Sequence, residues 1–329
     1  MDNITHTLTG LMLSRAGLNR VSPEATWVLL LAANAPDIDV SSALGGSLTY
    51  LHYHRHLTHS LLLLPVLAAA CVLAVRVLAR RPMAWKPAYL AALAGVASHL
   101  ILDSTNVYGV RLLLPFSERW FRLDITNVVD VWIWCALFLA VLAPLLAKLV
   151  QSEMGGAQKR YPGQASAVAA LVFLLLYDGS RYFLHERAVA TLESRIYGGA
   201  QPRRVAAAPG PFSVLRWRGI VETASTYRIM EINLLEEFDA AGGREFFKAE
   251  PSDAIEAANR TEAFREFLRF SSYPLWQVSA GEGENSIRVE AMDLRFGDPS
   301  APGFAAVADM DRRLQVSRAW FTFGPPRPR

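Results

Sequence analysis

Charge is scarce through much of the first half of this 329-residue chain. Between Ser60 and Leu78 only Arg76 interrupts an apolar run, and Trp132 to Ala147 carries no charged residue. Ala88 to Leu102 and Ala165 to Tyr177, the latter extending toward Leu184, are equally poor in charge. Each stretch approaches the roughly 20 residues that cross a bilayer, which excludes an ordinary soluble protein. Cysteine is also rare: Cys71 and Cys135 are the two present, both inside apolar runs, so they read as small core residues rather than a disulfide or metal pair. The start carries Asp2 and His6 in place of a basic cluster, and no small-residue cleavage site follows, so no cleavable signal peptide is expected. A net charge of +3 is too near balance to suggest a nucleic-acid partner. No internal repeat stands out.

What is present predicts two parts. Residues 1–185 read as a mainly α-helical membrane domain with about four long helices and two short ones, Ile4 to Leu18 and Ala25 to Ala35, too short for comfortable spans. Residues 186–211 read as a continuing helix and then a linker, Gln201 to Pro211, rich in Pro, Ala and Gly. Residues 212–329 read as a small α+β domain. Strand character shows at Phe212 to Arg218, Ile220 to Thr223, Tyr227 to Leu234, Trp276 to Ala280, Ser286 to Leu294 and Leu314 to Phe323, with a helix at Ala254 to Phe270. That domain has no metal-ligand cluster, no Gly-rich phosphate loop and no histidine after His185, so chemistry is not expected there.

Basic residues orient the helices. Arg15 and Arg20, then Arg76, Arg80, Arg81 and Lys86, then Lys148, Lys159 and Arg160 mark three connections as cytoplasmic. The opposite helix ends, and the α+β domain with them, then face the extracytoplasmic side of a bacterial inner membrane. Those ends carry His6, Asp37, Asp39, His54, His59, His99 and Asp103. In Ser98-His99-Leu100-Ile101-Leu102-Asp103 an imidazole and a carboxylate lie four residues apart, on one face of a helix. Ionisable groups in a membrane cost roughly 2.5–3.5 kcal/mol each at the bilayer centre unless paired or metal-bound. Histidine and carboxylate are ligands of zinc, and of manganese or iron, so the set predicts a shared divalent metal site, with zinc first. Thr58 or Ser60 is placed to cap a helix or orient a ligand, and Arg55 to clamp an anion. His52, His56 and His185 read as packed side chains. The loop from Tyr108 to Val129, with Arg111, Arg119 and Arg122 among aromatics, reads as an interfacial anchor, a lid, or both.

These motifs carry a resemblance. Thr5-His6-Thr7-Leu8-Thr9-Gly10, Pro36-Asp37-Ile38-Asp39, His54-Arg55 with Thr58-His59-Ser60, and His99-x-x-x-Asp103 resemble the YdjM family of bacterial inner-membrane proteins, described as metal-dependent hydrolases. Gly109 to Asp124 resembles the segment after the His-x-x-x-Asp motif there, and the likeness covers roughly residues 1–150. That family is distantly similar to zinc-dependent phospholipase C, an all-helical enzyme with His-x-x-x-acid ligand pairs. One departure is His56, where the family commonly has glycine. The resemblance implies a hydrolase acting on phospholipid or another amphiphilic (phospho)ester. In that reading His6, Asp37, His59, His99 and Asp103 are metal ligands, and Asp39 is a bridging ligand or general base. His54 is a ligand or proton donor, and Arg55 with Arg111 holds the substrate anion. Two other classes use the same residues: a non-catalytic membrane protein with a structural metal and a partner-binding C-terminal domain, and a transporter, disfavoured because the ligands gather at one face.

Overall fold

The computed structural model describes residues 1–80, 82–154, 163–281 and 286–325. Arg81, Lys159 and Arg160, used above for orientation, lie outside the described residues. Helices α1 (Asn3–Ala16) and α2 (Ala25–Asn34) lead into a 3-10 segment, Ala35–Gly45, then α3 (Ser47–Tyr53) and a 3-10 turn, Leu57–His59. Helices α4 (Leu64–Ala79), α5 (Trp85–Thr105), α6 (Val131–Met154) and α7 (Gln164–Glu193) follow. The chain divides into two compact units. The first is Met1–Asp39, Arg55–His185 and Pro209–Val214; the second is Val40–His54, Glu186–Ala208 and Leu215–Arg329.

Among the described residues three helices are long and apolar enough to cross a membrane: α5, Val131–Val150 of α6, and α7. A fourth span exists if Ser47–Ala79 is one bent crossing. The run expected from Ser60 starts as a helix only at Leu64, with Pro65 in its first turn and the Ser60 hydroxyl accepting from Leu63 N–H. Two apolar clusters hold the first unit. Val28 and Ala32 pack with Val72, Val75, Ala92 and Val96, joining α2, α4 and α5. Met12, Leu102, Ile133, Leu137, Ala170 and Leu174 join α1, α5, α6 and α7. The outer face of α6, with Leu139, Leu145, Leu146 and Leu149 all more than half exposed, is the kind of surface a bilayer covers. Cys135 is exposed on α6 and so is not the core residue expected; Cys71 is buried, and both thiols are free.

Two glycines let α1, α2 and α5 approach closely. A Cβ on Gly10 would stand 2.9 Å from both the Ala33 Cβ and the Leu29 carbonyl, and one on Gly95 would stand 2.8 Å from the Ala32 Cβ. Both helices thus press their backbones against the same turn of α2, as small residues permit in membrane helices. His6 lies one turn before Gly10, and His99 one turn after Gly95.

The second unit holds two four-stranded sheets, ordered β1-β2-β3-β4 and β5-β6-β7-β8. The first comprises β1 (Arg204–Pro209), β2 (Arg216–Glu222), β3 (Thr226–Asn233) and β4 (Arg244–Phe247). Helices α8 (Asp253–Asn259) and α9 (Glu262–Phe270) precede β5 (Pro274–Ala280), β6 (Ile287–Asp293), β7 (Phe304–Met310) and β8 (Val316–Phe323). Ile220, Tyr227 and Ile229 of one sheet pack on Leu275, Met292 and Val307 of the other. The stretch expected as a linker contains β1, because Ala207 is fully buried. The expected helix Ala254 to Phe270 is two helices, since the Thr261 side chain starts a new one by accepting from Phe264 N–H. His52, His56 and His185 are half-buried rather than core residues.

Gly95→Ala is expected to destabilise the protein by about 1–3 kcal/mol through overpacking against α2. A lowered thermal unfolding midpoint in detergent checks it; an unchanged midpoint refutes the close-packing account.

Candidate metal centre

Each side chain of the centre is delivered by a different local device. The α5 helix puts His99 and Asp103 on one face, both fully buried. The 3-10 turn Leu57–His59 buries His59 completely. On the tighter 3-10 segment Ala35–Gly45, two residues of separation turn Asp37 and Asp39 to different sides.

The donor atoms converge. His59 Nε2 is 3.2 Å from His99 Nε2. Asp37 Oδ1 is 3.4 Å from His59 Nε2 and 3.5 Å from His99 Nε2. Asp103 Oδ2 lies at 3.4 and 3.5 Å from the same two nitrogens. A tetrahedral ion with ligands at 2.0–2.2 Å requires donor–donor separations of about 3.3–3.6 Å. Asp37, His59, His99 and Asp103 form one group of buried potential ligands.

The tautomers sharpen the fit. His99 Nδ1 lies 2.7 Å from the Ala33 carbonyl, which can only accept, so Nδ1 carries the proton and Nε2 presents a lone pair. His59 Nδ1 faces Asp39 Oδ2 at 3.1 Å, which fixes the same tautomer. Two imidazole lone pairs and two carboxylate oxygens therefore face one another, an arrangement of acceptors without a donor that suits a cation.

A second layer holds these ligands. Asp39 Oδ2 accepts from the Arg55 backbone N–H and the Thr58 hydroxyl, each at 2.8 Å, while orienting His59. Asp39 is also one of the potential metal-ligand carboxylates, together with Asp37. Arg55, with a left-handed φ of 57°, is buried; its guanidinium reaches Asp103 Oδ1 at 3.0 Å, the Asn106 side chain at 3.2 Å and the Gly109 carbonyl at 2.9 Å. The Met1 amino group also lies against Asp103. Asn106 was not anticipated from the sequence. It ends α5, is fully buried, and its side-chain oxygen also accepts from Tyr108 and Gly109 N–H. The signal for it was an asparagine three residues past the last ligand of an apolar helix.

His6 stacks on His99 at 3.7 Å with an 18° interplanar angle. Its Nε2 is 3.5 Å from Asp103 Oδ1, and neither ring nitrogen has a hydrogen-bond partner among the described residues. Burial first, then the fields of His99 and the amino terminus, hold its pKa well below the ordinary value, so the ring is neutral. His54 ends α3 in the second unit, with its ring stacked 4.5 Å from Tyr50. The Arg111 guanidinium lies 4.9 Å over the Trp120 ring. In the same loop, Val110 and Phe121 bridge and Phe116 is 83 % exposed.

A helical membrane unit with a buried His/Asp cluster fit for a divalent ion is the class these features define. The YdjM inner membrane protein family model matches residues 1–188, and the chain belongs to that family. The YfhP C-terminal alpha/beta plait domain model matches residues 253–322. Over 334 aligned positions the chain is 25 % identical to a Bacillus subtilis (strain 168) protein described as uncharacterized protein YfhP, covering 97 % of this chain and 94 % of that one. No solved structure matches. The family and the three apolar helices together fit a multi-pass inner-membrane protein.

His99→Ala and Asp103→Ala are each expected to lose bound metal, read by elemental analysis of detergent-purified protein. Asp39→Asn is expected to weaken zinc binding about 10–100-fold without abolishing it, because it removes a group that orients His59. Wild-type affinity in Asp39→Asn would contradict the carboxylate–histidine arrangement.

Proposed function

We propose that this chain is a membrane-embedded metal-dependent hydrolase of phospholipid or another amphiphilic (phospho)ester. The observation that carries it is the convergence of Asp37, His59, His99 and Asp103 at tetrahedral spacing. Zinc is the first choice for this donor set, with manganese or iron as alternatives. A divalent ion bound there supplies a Lewis acid for an ester oxygen and an acidified water. The chain's own residues do the rest. Asp39 and the Ala33 carbonyl orient His59 and His99 through their Nδ1 atoms. Arg55 orients Asp103, and neutral His6, with both ring nitrogens unpartnered, is placed to hold a proton beside the centre.

The surroundings suit an amphiphile. Leu57, Leu61 and Leu62, flanking His59, are 38–52 % exposed. Leu61 N–H donates to the Leu112 carbonyl, tying this strip to the loop that exposes Leu113 and Phe116. The proposal includes the orientation argued from Arg15, Arg20, Arg76, Arg80, Lys86 and Lys148, with the centre and the C-terminal domain on the extracytoplasmic side.

A second reading has its own support. Four buried protein donors converge, the number that closes a structural site, so the metal would staple the helices. The two readings part on turnover. Zinc-loaded wild-type protein is expected to hydrolyse at least one member of a phospholipid and phosphoester panel, with Asp103→Ala inactive on the same member. Stoichiometric zinc with no turnover across the panel would favour the staple. Alkaline phosphatase fused after the last residue is expected to be active; a fluorescent cytoplasmic reporter there would invert the orientation.

A further inference from the structure

The ligand motifs are interrupted by a piece of the other unit. The chain leaves the first unit directly after Asp39 and returns at Arg55, and the residues between belong to the second unit. Within that unit α3 is held firmly. His52 Nδ1 lies 2.8 Å from Glu266 Oε2 on α9, and Tyr50 meets Phe323 of β8 edge-on at 5.6 Å. The Ser47 hydroxyl donates to the Phe321 carbonyl at 2.6 Å, and Leu51 is buried. On the other side of each crossing stand residues of the centre. Asp37 supplies a donor oxygen, Asp39 orients His59, and Arg55 anchors Asp103.

We propose that the C-terminal α/β domain regulates the metal centre through α3, acting as a covalent handle on both halves of the ligand set. The proposal rests on the metal-site reading above. Metal affinity depends on ligand geometry and on the groups that orient the ligands. A shift of α3 on α9 and β8 reaches the centre through two chain crossings, one residue from Asp39 and at Arg55. Metal binding in turn tightens α3 on its own domain, since coupling between two sites is reciprocal.

The test uses the full-length protein in detergent, with zinc affinity measured by chelator competition. Glu266→Ala is expected to weaken zinc binding roughly tenfold although no ligand is touched. Glu266→Gln, whose amide oxygen still accepts from His52, is expected to stay near wild type. In the wild type, adding zinc is expected to slow amide hydrogen exchange in peptides covering 47–53 and 262–270. Unchanged affinity in folded Glu266→Ala, or exchange in those peptides that ignores zinc, overturns the coupling while leaving the metal site standing. A wild type that binds no zinc, manganese or iron removes the metal reading and the coupling with it.

Discussion

Four electron-pair donors held within hydrogen-bonding range of one another, with no proton between them, are the constraint around which the first unit is arranged. Such a group is unfavourable in an apolar interior unless a cation shares it. Each neighbour works to keep the lone pairs pointing inward. The Ala33 carbonyl holds the His99 proton on Nδ1, and Asp39 does the same for His59. The approach of α2 to α5 that delivers the Ala33 carbonyl depends on Gly95 having no side chain, and the stacking of His6 on His99 depends on Gly10 in the same way. The glycine contacts and the metal site are thus one feature seen at two levels, helix packing and ligand geometry.

Helices α6 and α7 serve this arrangement without contributing donors. Tyr177 of α7 donates to Asp130, which also receives Trp132 N–H at the start of α6. Arg181, almost fully buried, donates to the Ile125 and Val214 carbonyls and fixes segments that carry no regular structure. These partners satisfy groups that would otherwise be costly at membrane depth. They gather on α7, whereas the ligands come from α5 and from the two 3-10 segments between α2 and α4. Structural polarity and metal-binding polarity are segregated by helix.

Much of the centre was legible in the sequence because spacing and hydropathy carry it. His99 and Asp103 stand out as an i,i+4 pair in an apolar run, and orientation by basic residues gathers them with Asp37 and His59. Local spacing does not reveal which atoms meet. Asp39 and Arg55 stand out in the sequence, but their partners, His59 Nδ1 and Asp103 Oδ1, are set by tertiary packing. In the second unit, β7 was missed for a different reason. Ala305, Ala306, Val307 and Ala308 are fully buried in a strand paired on both sides, so no alternation marks them. The excursion of residues 40–54 into the second unit leaves no local signature at all.

Charge balance explains why three carboxylates and one guanidinium surround two histidines. With both imidazoles acting as neutral ligands to an ion, Asp37, Asp39 and Asp103 bring three negative charges and Arg55 brings one positive. The sum is minus two, the charge a divalent cation neutralises. A neutral assembly is the one that a low-dielectric interior penalises least, whereas a monovalent or trivalent ion would leave a net charge buried. The Met1 amino group beside Asp103 is buried as well, and burial holds its pKa well below the ordinary range. Arg55 enters this sum through Asp103 Oδ1, so turning its guanidinium to an incoming phosphate would change the charge balance around Asp103.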